Sequence, residues 1–174
     1  RVNLFVWEAD CVPPAWVRRL GEVDRVLVPS RFTQKALVDS GFDPERVGVV
    51  PYGHDGLEPS DRGGDGRFSL LSIVSPHRRK GIEQLLAAYR AAFSRADDVV
   101  LKIKTTYDPA ASKRTFPFEI PGWDKALESA GLWDPSAPRV EIRQDSVTDD
   151  ETRWLYRAAD LCVQPSWGES FGLA

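Results

Sequence analysis

The stretch at residues 68–93, FSLLSIVSPHRRKGIEQLLAAYRAAF, decides the fold class of this chain. It begins with a short apolar run at 68–74, which is typical of a buried strand, and it ends with apolar residues at helical spacing over 81–93. Between these runs lie Pro76, three consecutive cations and Gly81, which are residues typical of a loop. The stretch therefore predicts a β-strand, a loop and an α-helix in immediate succession.

The same alternation continues on both sides of this stretch. Further strands are predicted at 2–6, 24–28, 47–50, 99–103, 139–142 and 161–164, and further helices at 14–20, 31–40, 123–130 and 149–159. Residues 107–121 are predicted to be irregular. Alternating strands and helices indicate an α/β fold with parallel strands and right-handed crossovers. The composition, 42% hydrophobic and 28% charged, is that of an ordinary globular protein that can bury a core.

A change of composition at residues 56–67 predicts a linker between two domains. Asp, Gly, Pro, Ser and Arg dominate there, with Gly63-Gly64-Asp65-Gly66 at the centre. Such a stretch cannot bury apolar surface. The alternative is a surface loop inside one domain, because loops longer than about a dozen residues are uncommon but do occur. We predict one domain part at 1–55 and a second at 68–174.

Charge and motif content disfavour several classes of function, although a local basic patch is still compatible with the overall charge. With a net charge of -3 and a pI near 5.5, the chain lacks the overall positive charge that is typical of proteins that bind nucleic acid or an anionic membrane. Cys11 and Cys162 lie far apart, without a C-x-x-C motif or a nearby histidine, so no metal site is expected. The N-terminus lacks the layout of a signal peptide and the chain contains no Met, which predicts an internal fragment of a longer cytoplasmic protein.

Two loops are the candidate ligand sites, because open parallel sheets bind ligands outside the carboxyl ends of their strands. The first loop follows the strand at 68–74 and carries Ser75, Arg78, Arg79 and Lys80 ahead of a predicted helix start at Gly81. Mobile cations beside backbone N–H groups at a helix start suit a phosphate or diphosphate. The alternative is a solvated basic cluster on the surface.

The second loop follows the last predicted strand and carries Glu169, Phe171 and Gly172. A carboxylate accepts hydrogen bonds from sugar hydroxyls, and a glycine allows close approach of the backbone to a ligand. The alternative is that Glu169 caps the next helix. Glu8 follows the first predicted strand and either faces a ligand cleft or is a surface carboxylate.

Taken in order, these motifs resemble those of retaining GT-B glycosyltransferases of the family 4 type (glycosyl transferases group 1). The resemblance covers most of the chain and rests on DRVLVPSRFT at 24–33, SGF at 40–42, VVPYGHD at 49–55, LSIV at 71–74, RKGI at 79–82, LYRAAD at 155–160, PS at 165–166 and ESFG at 169–172. It implies an α/β fold of GT-B type with parts of two Rossmann-like domains. Residues 1–55 would end the acceptor-side domain, and residues 68–174 would begin the nucleotide-sugar-binding domain.

The resemblance also implies roles for single residues. Arg79 and Lys80 would bind the donor diphosphate, Glu169 would bind the sugar hydroxyls, and Gly172 and Leu173 would offer backbone N–H groups nearby. Glu169 would begin the E-x7-E pair of the family, whose second glutamate would fall at position 177.

The chain departs from the family pattern at one point of the first loop. The family usually carries a Gly-Arg pair ahead of the lysine, where this chain has Val74-Ser75. A second cation is therefore missing from its expected place, and we expect Arg78 or Arg79 to substitute for it.

The activity implied by the resemblance is transfer of a sugar from a nucleotide-diphosphate sugar to an unknown acceptor, with retention at the anomeric carbon. The acceptor would be a glycan, a lipid or a small molecule, and the enzyme a hexosyltransferase without metal or cofactor. A peripheral membrane contact of the parent protein is compatible with this. The 174-residue chain alone is expected to be an inactive fragment.

The principal alternative is a non-catalytic nucleotide- or sugar-binding module, and a purely structural α/β fragment also stays open. A dinucleotide-binding oxidoreductase is disfavoured because no G-x-G-x-x-G follows a predicted strand.

Overall fold

The computed structural model describes residues 1–53, 56, 66–106 and 119–172. The chain divides into two compact units, which we call the first unit (Arg1–Asp55 with Gly168–Ala174) and the second unit (Gly56–Trp167). Residues 168–174, which the sequence analysis placed in the second domain, group with the first unit. The assignment of the units to acceptor and donor sides stays a prediction.

The first unit contains a parallel three-stranded sheet in the order β1-β2-β3. Its elements are β1 (Val2–Leu4), α1 (Pro14–Leu20), β2 (Arg25–Val28), α2 (Arg31–Asp39), a 3₁₀ turn (Pro44–Arg46) and β3 (Val47–Val49). Each helix follows one strand and precedes the next, as the βαβαβ pattern predicts.

Local signals in the sequence determine where α2 begins and ends. The side-chain oxygen of Ser30 accepts a hydrogen bond from the Thr33 N–H at 3.2 Å, which caps the first turn. Ala36 and Leu37 are buried against the sheet core. Gly41 follows the last turn with φ +97°, the left-handed conformation that glycine adopts without strain.

The second unit contains a parallel four-stranded sheet in the order β6-β5-β4-β7. Its strands are β4 (Phe68–Ile73), β5 (Val99–Lys104), β6 (Arg139–Arg143) and β7 (Leu161–Cys162), and its helices are α3 (Ile82–Ala92), α4 (Trp123–Ser129) and α5 (Asp149–Ala158). The predicted parallel direction of all four strands is confirmed. The core of the unit forms where α3 and α4 pack against β4 and β5, with Leu86, Leu101 and Ile103 at most 1% exposed.

The structure differs from the predicted boundaries by more than one residue at two strands. β7 ends at Cys162 rather than at residue 164. Val163 still donates its backbone N–H to β4, but Gln164 contacts β4 through its side chain, whose Nε2 donates to the Ile73 carbonyl at 3.0 Å. The next residue is Pro165, which has no backbone N–H to donate. β1 also ends early, at Leu4 rather than at residue 6.

Two further segments complete the comparison with the predicted elements. A 3₁₀ turn at Arg78–Lys80, which the sequence analysis missed, precedes α3. Of the region predicted to be irregular, residues 107–118 lie outside the described part of the chain. None of the helices in the described ranges is long and apolar enough to cross a membrane.

Candidate functional site

The 3₁₀ turn Arg78–Lys80, which we call the basic turn, is shaped by the residue that precedes it. The His77 ring nitrogen Nδ1 accepts the Arg79 N–H at 3.2 Å, and the His77 carbonyl accepts the Lys80 N–H at 2.8 Å. Gly81 follows with φ +69° and begins α3 without a side-chain cap. The helix therefore presents its N-terminal end, which carries partial positive charge, directly after three cationic side chains.

The basic turn is tied to the segment that follows β7. The Arg79 carbonyl accepts the Trp167 N–H at 2.8 Å. Gly81 lies so close to the same segment that a Cβ atom at this position would be 2.1 Å from the Pro165 carbonyl oxygen. Glycine is thus required at position 81 both for its backbone conformation and for the space it leaves.

A cavity of about 310 Å³ opens at the carboxyl ends of β4 and β5, and we call it the carboxyl-edge cavity. Its lining comes from the end of β4 and the two residues after it (Ile73, Val74, Ser75), from Lys80, from the end of β5 and the two residues after it (Lys104, Thr105, Thr106), and from α5 and the residues just before it (Val147, Thr152). The structure thus brings two of the predicted residues, Ser75 and Lys80, into one cavity.

The other two predicted cations have different surroundings. Arg78 is exposed, and its Nε lies 3.9 Å from the Glu83 Oε2. Arg79 is half-buried and contributes its carbonyl to the contact with Trp167. Neither is among the described residues that line the carboxyl-edge cavity.

The sequence analysis missed the residues that β5 contributes to this cavity. Lys104 is only 4% exposed, and its ammonium group donates to the Thr105 carbonyl. The Thr105 hydroxyl oxygen is buried without a hydrogen-bond partner among the described residues. The sequence carries no clear signal for Lys104, because the same segment has a second lysine, Lys102, which is only half-buried, and the sequence alone does not distinguish the two.

The wall formed by the N-terminal region of α5 is held by a capping box. The Glu151 N–H donates to the Thr148 hydroxyl oxygen at 3.2 Å, and the Thr148 N–H donates to the Glu151 Oε2 at 2.8 Å. The bonds that the Thr148 N–H and the Thr148 hydroxyl donate to the Glu151 carboxylate hold the pKa of Glu151 below its usual value. The Thr152 hydroxyl donates to the Thr148 carbonyl at 3.0 Å, which fixes this cavity-lining side chain against the cap.

An ion-pair network lies beside this wall. Arg143 donates through two nitrogens to the two carboxylate oxygens of Asp145, both at 2.7 Å. The bond from Arg143 is the main cause of the lowered pKa of Asp145, and the positive charge of Lys104 contributes in the same direction.

The predicted residues of the second loop lie in the first unit, in a segment that we call the acid loop (168–172). A Cβ atom at Gly168 would be 2.4 Å from the Glu8 carbonyl oxygen, so the loop packs against the backbone of Glu8. Glu169 is half-buried, and Gly172 turns the chain with φ +72°. The remaining predicted residue, Leu173, lies outside the described part of the chain.

Phe171 has a packing contact of its own. Its ring meets Tyr52 edge to face, with 5.6 Å between the ring centroids. This geometry is favourable for an aromatic pair and anchors the acid loop.

Within the described ranges, no group of three or more His, Cys, Asp or Glu residues is arranged to hold a metal ion. Metal independence stays a prediction.

Comparison with known proteins places this geometry in context. No family model matches the chain. It is 28% identical to a D-inositol 3-phosphate glycosyltransferase of Rhodococcus jostii over 98% of its length, and 29% identical to the protein of the same name from Rhodococcus opacus over the same share. The chain spans about 40% of the length of these curated relatives.

The solved structures most informative about the fold are those of two further proteins. TarM superposes with a TM-score of 0.68 at 12% identity, over 99% of this chain and 33% of TarM. HepE of Anabaena, solved in complex with UDP, superposes with a TM-score of 0.66 at 17% identity, over 99% of this chain and 48% of HepE. The predicted fold class, α/β of GT-B type, is confirmed.

Proposed function

We propose that this protein is a retaining GT-B glycosyltransferase of the family 4 type that takes its sugar from a nucleotide-diphosphate sugar. The observation that carries the proposal is the carboxyl-edge cavity, which Lys80 and Ser75 both line. Open parallel sheets commonly bind their ligands at this edge, outside the carboxyl ends of the strands. Similarity to named glycosyltransferases over 98% of the chain supports the same reaction class.

In this proposal the second unit binds the diphosphate. Lys80 supplies a positive charge, and the N-terminus of α3, which has no side-chain cap, directs partial positive charge to the same end of the sheet. When the bond from the anomeric carbon to the diphosphate breaks, negative charge develops on the leaving oxygen. Preorganised cations and N–H dipoles stabilise that charge, which is electrostatic catalysis.

Glu169 is assigned to the sugar hydroxyls of the donor. Its backbone position is determined by Gly168, which packs on Glu8, and by Phe171, which packs on Tyr52. Because the backbone on both sides of Glu169 is held by these contacts, less backbone freedom is lost when the carboxylate accepts a hydroxyl hydrogen bond. Glu8 acts in this scheme as a backbone support, and Gly172 and Leu173 are assigned as N–H donors.

The sugar would pass to an acceptor hydroxyl of a glycan, lipid or small molecule, with the configuration at the anomeric carbon retained, in the manner of a hexosyltransferase. The acceptor proton leaves with the nucleoside diphosphate, so no cofactor takes part. We also propose that the reaction needs no metal ion and takes place in the cytoplasm, where nucleotide sugars serve as substrates.

Binding of a nucleoside diphosphate to the 174-residue chain tests the first step. Isothermal titration with UDP, GDP and ADP compares the wild type with Lys80→Ala and with Lys125→Ala, which removes an exposed lysine on α4. Charged hydrogen bonds contribute about 1.5–3 kcal/mol, so Lys80→Ala should weaken binding roughly 10- to 150-fold, whereas the control should bind like the wild type. Absence of binding for all three nucleotides, or equal losses in both variants, would refute the proposal.

Transfer itself is measured on the natural gene product that contains this sequence, with UDP-, GDP- and ADP-sugars and a panel of acceptors. Proton NMR of the first product distinguishes retention from inversion. Activity should persist in excess EDTA. Inversion would contradict the retaining assignment, loss of activity in EDTA would contradict metal independence, and binding without transfer would favour a non-catalytic module.

A further inference from the structure

The carboxyl-edge cavity contains a second lysine that the resemblance does not assign. Ser75 stands where the family that the chain resembles carries an arginine, so this position contributes a hydroxyl instead of a charge. Lys104 reaches the same cavity from the end of β5, the strand that pairs with β4 through Ile73↔Lys104. The cavity therefore lacks a cation on β4 and has one at the neighbouring strand.

The surroundings of Lys104 favour an anionic ligand. A charge at 4% exposure is costly unless something compensates it, and the described partner of its ammonium group is a neutral carbonyl. The carboxylate that senses its charge, Asp145, is bound at both oxygens by Arg143. Among the described residues that line the cavity, the charged ones are Lys80 and Lys104, and both are cations.

Thr105 provides an independent observation. Its hydroxyl oxygen is buried without a partner among the described residues, although the residue itself lines the cavity. Unsatisfied buried polar groups are rare in native proteins and call for a specific explanation, such as a ligand that supplies the missing bond. The cavity volume of about 310 Å³ lies at the lower end of the usual range for ligand sites, which suits one part of a nucleotide sugar.

We propose that Lys104 is the second diphosphate-binding cation of this protein and takes the place of the arginine that is missing at Ser75. Together with Lys80 it forms a two-lysine clamp that prefers a diphosphate to a monophosphate. This inference rests on the proposed function, because it names a further residue of the same donor site.

The test measures the affinity of the 174-residue chain for UDP, UMP and uridine by isothermal titration. Lys104→Met removes the charge and keeps a long side chain, and Lys104→Arg restores a charge. Lys102→Met is the matched control on the same strand, at a half-buried lysine that is not among the residues lining the cavity. Circular dichroism and urea unfolding establish that each variant folds.

Loss of one charged contact should weaken UDP binding about 10- to 100-fold in Lys104→Met, with a smaller loss for UMP and none for uridine. Lys104→Arg should recover most of the UDP affinity, and Lys102→Met should bind like the wild type. A structural role alone would instead weaken all three ligands equally, or leave all three unchanged, and either result would overturn the inference.

A measurement on the wild type keeps the test decisive if Lys104→Met does not fold. The clamp predicts that the wild type binds UDP at least about tenfold more tightly than UMP, a difference of about 1.4 kcal/mol. Equal affinities would overturn the inference while leaving the proposed function intact. Failure of the wild type to bind UDP, GDP or ADP would instead overturn the proposed function, and the inference with it.

Discussion

Replacement of Gly81 by alanine should destabilise the second unit by two separable effects. The backbone at this position has φ +69°, and the left-handed conformation costs a residue with a Cβ about 1–2 kcal/mol. The added Cβ would also lie 2.1 Å from the Pro165 carbonyl oxygen, which is a backbone atom and moves only with its loop. Overpacking of this kind costs about 1–3 kcal/mol, so we expect a total of about 2–5 kcal/mol.

Gly131→Ala is the matched control for this prediction. Gly131 has φ +68°, almost the same conformation, but a Cβ there would meet nothing within 4 Å. The variant should therefore lose only the conformational part, about 1–2 kcal/mol. Urea unfolding followed by circular dichroism gives both free energies of unfolding, and their difference isolates the contact with Pro165.

Equal losses of stability in the two glycine variants would refute this account of position 81. A second consequence can be checked on the same protein. Because the basic turn directly precedes Gly81, Gly81→Ala should also weaken UDP binding, whereas Gly131→Ala should not.

Two further predictions concern α5. Thr148→Ala removes the side-chain half of the capping box and should lower the free energy of unfolding by about 1 kcal/mol, or the melting temperature by about 2–4 °C, as measured by thermal unfolding. The pKa of Glu151 is lowered in the folded state, first by the backbone N–H of Thr148. The contribution of the ionised Glu151 carboxylate to the free energy of unfolding is therefore complete above the unfolded pKa of about 4.5. This contribution is lost as the pH falls through the lower pKa of the folded state. Urea unfolding between pH 6 and about pH 3 should show a steeper acid loss of stability in the wild type than in Glu151→Gln, and equal slopes would contradict the assigned cause.

The order and type of the elements could be predicted because each depends on neighbours in the sequence. For example, the cap at Ser30 marks the start of α2 and Gly41 marks its end, and both residues lie within two positions of the helix. Strand ends were less predictable, since the end of β7 depends on its contact with β4, about 90 positions earlier in the chain.

The residues of the candidate site were likewise predictable only where they depend on neighbours in the sequence. Ser75 and Lys80 were found because they belong to one local loop, whose position after a strand is itself a signal. Lys104 was missed because its burial depends on β4, β6 and the start of α5, which only tertiary packing brings together. Likewise, the contact of Gly168 with the Glu8 carbonyl joins residues 160 positions apart, so no local sequence pattern could predict it.

The position of β7 beside β4 has a consequence for biosynthesis. Leu70 pairs with Leu161, so β4 leaves the ribosome 91 residues before its partner. At bacterial to eukaryotic elongation rates of about 5–20 residues per second, this delay is roughly 5–20 s. During that interval β4 has one unpaired edge, and the basic turn lacks the support of Pro165 and Trp167. The nascent chain therefore exposes, during this interval, the part of the second unit that we propose binds the diphosphate.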